Sequence, residues 1–243
     1  MCTVSYVPDH SGGFVLISSR DEKPGRKTMR PENDNGMLYP KDAVAGGTWI
    51  SVDQSGRVGC LLNGAFEKHT SQNNYTRSRG SLILEAFGYD NIENFFKNVN
   101  LSGVEPFTLI VVENNMLWEF RWDAKVKFIK EFPVDHKKVW SSSTLYDSSA
   151  KAQRQSWFHS WRGAPLDFHF ENHCSDPGVD LKMKLDSGIE TVSITQVTSF
   201  HSTRISGTDS SASHSMPPRM AYHDLARGEK HMSECLAVLQ SES

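Results

Sequence analysis

The chain has 243 residues and carries 26 Lys and Arg against 29 Asp and Glu, a net charge of -3. That balance gives no basic footprint for nucleic acid, and no apolar run approaches the roughly 20 residues that a membrane span needs. With 37% hydrophobic residues and a mean hydropathy of -0.48, the chain reads as a soluble, rather polar domain over residues 1–243, with 225–243 as a peripheral tail.

The first strand is expected at Thr3-Val4-Ser5-Tyr6, where β-branched and aromatic residues alternate with small polar ones. The turn cluster Pro8-Asp9-His10-Ser11-Gly12-Gly13 separates it from a second run, Phe14–Ser19, so the two read as an antiparallel hairpin. With the tip near residue 10, Cys2 lies opposite Ser18 and shares a face with Arg20. Asp21 has the other parity and turns to that face only if the strand bulges or ends there.

Residues 23–45 are polar and turn-rich and read as a long surface loop. Gly46-Gly47-Thr48-Trp49-Ile50-Ser51-Val52 starts a strand, and Arg57–Asn63 is its return, with a second polar loop over 64–79. Leu82, Ile83, Ala86 and Phe87, then Ile92, Phe95, Phe96 and Val99, have helical spacing, with Asp90 as N-cap of the second helix. Phe107–Glu113 and Met116–Trp122 flank Asn114-Asn115, a hairpin signal. Val126–Glu131 and Val139–Leu145 supply further strands. Asp147–Trp161 reads as a helix with Ala150, Ala152, Trp157 and Trp161 inward, and Pro165–His173 as a shorter one. Ile189–Thr198 and Arg219–His223 are late strands around a Ser/Thr/Pro-rich hairpin loop, and 225–239 reads as a terminal helix. Strands, then helices, then strands again predict an α+β fold with helices outside a pair of mainly antiparallel sheets.

Four cysteines are widely spaced with no Cys-x-x-Cys pair, and the start lacks the basic-then-apolar layout of a signal peptide, so free thiols in the cytoplasm are expected. Cys60 and Cys174 read as structural. His169 and His173, with Cys174 and Asp176 nearby, could share a helix face toward zinc, but no fourth ligand stands at a recognised spacing and no metal is expected. Cys2 is different. If an aminopeptidase removes Met1, residue 2 becomes a thiol nucleophile carrying its own α-amine base, whose reference pKa of roughly 7.7–8.0 nearly matches the thiol's about 8.5. The competing reading is an ordinary buried strand cysteine.

Met1-Cys2-Thr3-Val4, Ser19-Arg20-Asp21-Glu22, Gly46-Gly47-Thr48-Trp49 and Leu61-Leu62-Asn63 together, in this order, resemble the NRDE family, also called the transport and Golgi organisation protein 2 family. Ser19 stands where the naming tetrapeptide has Asn. The resemblance implies an N-terminal-nucleophile (Ntn) hydrolase-like fold, a four-layer αββα sandwich akin to that of bile-salt hydrolases and penicillin V acylases. It implies Cys2 as nucleophile, Asp21 holding the α-amine, Arg20 stabilising the thiolate or a substrate carboxylate, and Asn63 as an oxyanion or substrate donor. Trp49 is then either a core residue or part of the substrate-binding wall, and Asn63 before Gly64 can equally be a turn residue.

Two positions depart from the family pattern. Ser143 replaces an Asn in the strand containing Ser142-Ser143, where a substrate contact is expected, and Glu190 stands near a late-strand Arg position. The expected function is an N-terminal cysteine amidohydrolase acting on a non-peptide amide of a small molecule, with no cofactor. The alternative is a carrier for haem or another hydrophobic cofactor, although no His or Cys sits in a recognised haem motif.

Overall fold

The structure is a computed structural model and describes residues 3–71, 75–200 and 216–236. Thirteen strands among these residues form two antiparallel sheets. β1 (Thr3–Pro8), β2 (Phe14–Glu22), β10 (Lys138–Ser141), β11 (Glu190–Ser199), β12 (Arg219–Asp224) and β13 (Glu229–Glu234) make one sheet in the order β10-β1-β2-β11-β12-β13. The other runs in chain order through β3 (Thr28–Asp34), β4 (Met37–Asp42), β5 (Ile50–Asp53), β6 (Val58–Asn63), β7 (Phe107–Glu113), β8 (Met116–Trp122) and β9 (Lys127–Phe132).

The sheets pack face to face over one apolar layer. Val4, Tyr6, Leu16 and Val197 from the first sheet meet Leu38, Ile50, Val52, Cys60, Leu62 and Ile110 from the second. On the outer face of the second sheet, α1 (Gly80–Phe87) and α2 (Ile92–Asn98) bury Leu82, Ile83, Phe95 and Phe96 against Leu61, Leu109, Val111 and Phe120. On the outer face of the first, α3 (Ser148–Ser160) and α4 (Pro165–Phe170) bury Phe158 and Phe168 against Val139. This is the αββα order. It explains why β7 is buried at every position: Ile110 and Val112 face the other sheet while Phe107, Leu109 and Val111 face the helices, so its sequence lacks alternation. No helix among the described residues is long and apolar enough to cross a membrane.

Several elements differ from expectation for identifiable reasons. The expected loop over 23–45 contains the hairpin β3–β4. Asn35 and Gly36 both have positive φ (51° and 79°), the backbone of a tight hairpin turn, so this Asn-Gly pair was the signal. Prolines obscured it: β3 is an edge strand, and its pairing breaks between Met29 and Glu32, where Pro31 has no N–H to give. The cap of α2 is Asn91, whose side chain accepts from Asn94 N at 2.9 Å, rather than Asp90. Residues 229–234 form strand β13 instead of belonging to a terminal helix, because they pair with β12. The expected late loop falls largely on 201–215, outside the described residues.

The first hairpin closes through residues 9–13, with Asp9 N donating to Gly13 O and Gly12 at φ 88°. Its register is Thr3↔Ser19 and Val4↔Ser18, so the predicted partner of Ser18 is corrected from Cys2 to Val4. The slip is two residues and leaves every face assignment intact.

Candidate active site

Everything of interest gathers at the end of the sandwich where β1 begins and β2 finishes. Arg20 faces the space between the sheets. Its Nη2 donates to Asp42 Oδ2 at 2.9 Å and its guanidinium carbon lies 4.7 Å from the centre of the Trp49 ring. The residue is 2% exposed, and its Nη1 has no hydrogen-bond partner among the described residues. Asp42 comes from the end of β4. Burial works against its charge, but the N–H groups of Ala45 and Val44 and the Arg26 and Arg20 guanidiniums outweigh this and hold its carboxyl below the usual range. Trp49 is a buried core residue and also the platform on which Arg20 lies.

Asp21, the next residue, points to the opposite side of the sheet. Its carboxylate accepts from Tyr146 Oη at 2.9 Å and Thr191 Oγ1 at 2.6 Å, beside a bulge in the β2–β11 pairing between Thr191 and Ser193. The bulge lies in β11, and Asp21 keeps its own parity.

Asn63 ends β6. Its carbonyl accepts from Ser142 Oγ at 2.7 Å, and Gly64 follows at φ 78°. That left-handed turn lets the chain pass against Ser143, where a Cβ on Gly64 would collide with Ser143 Oγ. Ser143 is buried, with its hydroxyl unpartnered among the described residues. Two cavities flank this point. The smaller, about 110 Å³, is lined by Arg20, Trp49 and Asn63 together with Arg26, Asp42 and Arg79. The larger, about 840 Å³, is lined by Ser143, Phe66, Arg121, Leu145, Tyr146 and Lys151 among others.

Of the residues singled out from sequence, Arg20, Trp49 and Asn63 thus share one cavity. Ser143 lines its neighbour, Asp21 lies across the sheet, and Cys2 falls outside the described residues. Glu190 opens β11 opposite Glu22, with its carboxylate 3.9 Å from Lys184 Nζ.

Sequence reasoning missed Asp42, Tyr146, Thr191 and Arg154. Arg154 left a trace. The buried stripe of α3 is Ala150, Arg154 and Phe158, spaced four apart, whereas the expected Ala152 is exposed. An arginine inside that stripe was the clue. Its Nη1 donates to Thr3 Oγ1 at 2.7 Å. The histidine pair is also reassigned. His169 has both ring nitrogens occupied, by Ser5 Oγ at 2.7 Å and Ser19 Oγ at 2.8 Å, and His173 lies beyond the end of α4 with its ring stacked on Trp157. Burial pushes His169 down to about 3 and the Cys60 thiol up to about 12.

The sequence model of the Transport and Golgi organisation 2 family matches residues 1–183. The chain belongs to that family. No curated protein matches it in sequence. Among solved structures, an N-acylethanolamine-hydrolyzing acid amidase ortholog from Caenorhabditis elegans superposes with a TM-score of 0.53 at 13% identity, covering 80% of this chain and 92% of its own. A C2A mutant of the conjugated bile acid hydrolase from Clostridium perfringens gives a TM-score of 0.47 at 6% identity, covering 99% of this chain and 100% of its own. The likeness to the amidase shows the Ntn-hydrolase-like fold that the family resemblance implied.

Proposed function

We propose that this member of the Transport and Golgi organisation 2 family is a cytoplasmic cysteine amidohydrolase of the N-terminal-nucleophile type, acting on a small-molecule amide after Met1 is removed. The observation that carries this reading is Arg20. It is a buried guanidinium with one nitrogen unpartnered among the described residues, and it lines a cavity with Asn63 at the strand end beside Thr3. Burying such a donor unsatisfied is unfavourable unless something else meets it, and a substrate oxygen or a thiolate would do so.

In the reaction, the α-amine of Cys2 takes the proton from Sγ, and the sulfur attacks the amide carbonyl to form a C–S bond. The carbonyl oxygen becomes an oxyanion within reach of the donors lining the cavity, Arg20 and the Asn63 amide. Collapse breaks the C–N bond, and the leaving amine takes the proton held on the α-amine. Water then adds to the thioester as the α-amine takes one of its protons, the C–S bond breaks, and that proton returns to the sulfur as the carboxylic acid leaves.

The test is intact mass followed by labelling with an alkyne-bearing β-lactone, which acylates a reactive thiol. The expected result is a protein lacking Met1 that is labelled once, with labelling abolished in Cys2→Ala. Retention of Met1 in protein from a host that can remove it, or equal labelling of Cys2→Ala, overturns the proposal.

A further inference from the structure

Three guanidiniums converge on the cavity of about 110 Å³: Arg20 from β2, Arg26 from the turn after it, and Arg79, the residue that opens α1. A carboxylate braces each of them. Asp42 pairs with Arg20 Nη2 at 2.9 Å and with Arg26 Nε at 2.8 Å, Glu22 with Arg26 Nη1 at 3.1 Å, and Glu105 with Arg79 Nη2 at 2.9 Å. These contacts fix the arginines without using every donor, since Arg20 Nη1 is buried and unpartnered among the described residues.

The first turn of α1 belongs to the same wall. Ser78, Arg79 and Gly80 line the cavity, no side chain caps the helix, and no acidic residue stands in its first turn. The positive end of its dipole therefore faces the cavity without a built-in negative partner. A close backbone approach seats this turn: Thr48 N donates to Gly80 O at 3.1 Å, and a Cβ on Gly47 would lie 2.5 Å from Gly80 C. Burial holds the Arg79 pKa below the usual arginine range; Glu105 and Tyr75 oppose this, and the like charge of Arg26 adds to it. An anion between Arg26 and Arg79 would relieve both.

We propose that this cavity holds a carboxylate carried by the substrate. Arg79, Arg26 and the start of α1 bind it, and Arg20 Nη1, with two hydrogens, is shared between that carboxylate and the oxyanion of the reaction. The inference rests on the hydrolase reading for the amide and on this cavity alone for the carboxylate. Its size is well below the roughly 300 Å³ at which a pocket encloses a whole ligand, so it takes a charged group on a short link. Asn63, the other oxyanion donor, lines the same small space. The substrate class is therefore an amide with a carboxylate only a few atoms from the reacting carbonyl. Charge selects the group as well. The walls carry three guanidiniums against the carboxylates of Glu22 and Asp42, with Glu105 behind Arg79. One negative charge suits that balance, whereas a phosphate dianion would crowd Asp42 and Glu22.

The experiment titrates Cys2→Ala, which binds without turnover, with N-acetylglycine, succinamate, N-acetylglycinamide and inorganic phosphate at fixed ionic strength, following the thermal midpoint. The first two carry a carboxylate on the amine and acyl halves respectively, and the third is a neutral counterpart. The expected result is a midpoint raised by about 3–6 °C by at least one of the two carboxylates at tenfold excess over its Kd, with no rise from N-acetylglycinamide at that concentration. Adding Arg79→Gln is expected to weaken the carboxylate roughly tenfold or more. Tighter binding of phosphate than of either carboxylate, no binding of either, or unchanged affinity in a folded Arg79→Gln overturns the inference. If Arg79→Gln does not fold, the partly exposed Arg26 is replaced instead, and unchanged affinity in Arg26→Gln overturns it. Carboxylate binding in a protein whose Cys2 no β-lactone labels leaves the cavity assignment standing and removes the hydrolase reading; labelling without carboxylate binding does the reverse.

Discussion

His169 turns a packing detail into a measurable dependence of stability on pH. The imidazole is 0% exposed and is held between the hydroxyls of Ser5 and Ser19, themselves 0% exposed. Burial, then the positive charge of Arg154 and the proximity of His173, lower its pKa from the ordinary 6.5 to about 3. Because the folded value lies below the unfolded one, the unfolded chain binds the proton first as pH falls. This contribution is fully present above pH 6.5, falls as pH drops through that value, and levels off near pH 3. Between pH 7 and pH 5 it amounts to about 2 kcal/mol, because the unfolded histidine is mostly charged at pH 5 and the folded one still neutral. Urea unfolding at both pH values, on the wild type and His169→Gln, isolates it, since every other titrating group is common to the two. The variant should lose about 2–4 kcal/mol outright at pH 7, from the gap and the disturbed serine hydroxyls. It should also lose about 2 kcal/mol less than the wild type on going to pH 5. Equal pH dependence in both proteins would refute the assignment of a neutral, sealed imidazole.

Arg57 donates to Ala86 O, Tyr89 O and Asp90 O at the α1–α2 junction and pairs with Glu113 at 2.5 Å, while Glu113 also accepts from Ile92 N. Arg57→Ala should therefore destabilise the fold by about 3–5 kcal/mol in urea, leaving the β-lactone labelling rate of the folded fraction unchanged. Gly64→Ala should lower stability by about 1–3 kcal/mol, because it combines a strained positive φ with a clash at Ser143, and should slow labelling as Asn63 shifts. Cys60, with its thiol raised to about 12 by burial, should resist a thiol-reactive disulfide reagent at pH 8 in the native protein and react at once in guanidinium, followed by absorbance.

Elements whose physics is local were legible in the sequence. The alternation in β1, the double positive φ at Asn114 and Asn115, and the helical spacing of α1 and α2 all act within a few residues. Arg20 and Trp49 could be named because they belong to short motifs, but their stacking could not, since it depends on two sheets meeting. Asp42 was hidden because its role depends on a β3–β4 hairpin that prolines disguised. Tyr146 and Thr191 reach Asp21 from 125 and 170 residues away in the chain, and no periodicity carries that information. Strand β13 was mistaken for a helix because its support comes from distant partners, the ladder with β12 and Asn33 of β3, whose side chain donates to Glu234 O at 3.0 Å.

The neighbours of β2 come from opposite ends of the chain: β1 precedes it directly, whereas β11 consists of residues 190–199. A nascent polypeptide must therefore hold a bare, apolar strand edge while the whole second sheet and four helices are synthesised. Such delayed closure slows folding and invites pairing between incomplete copies. Truncation at residue 183, where the family match ends, would make that exposure permanent, so expression of shortened forms should yield aggregates rather than a smaller folded protein.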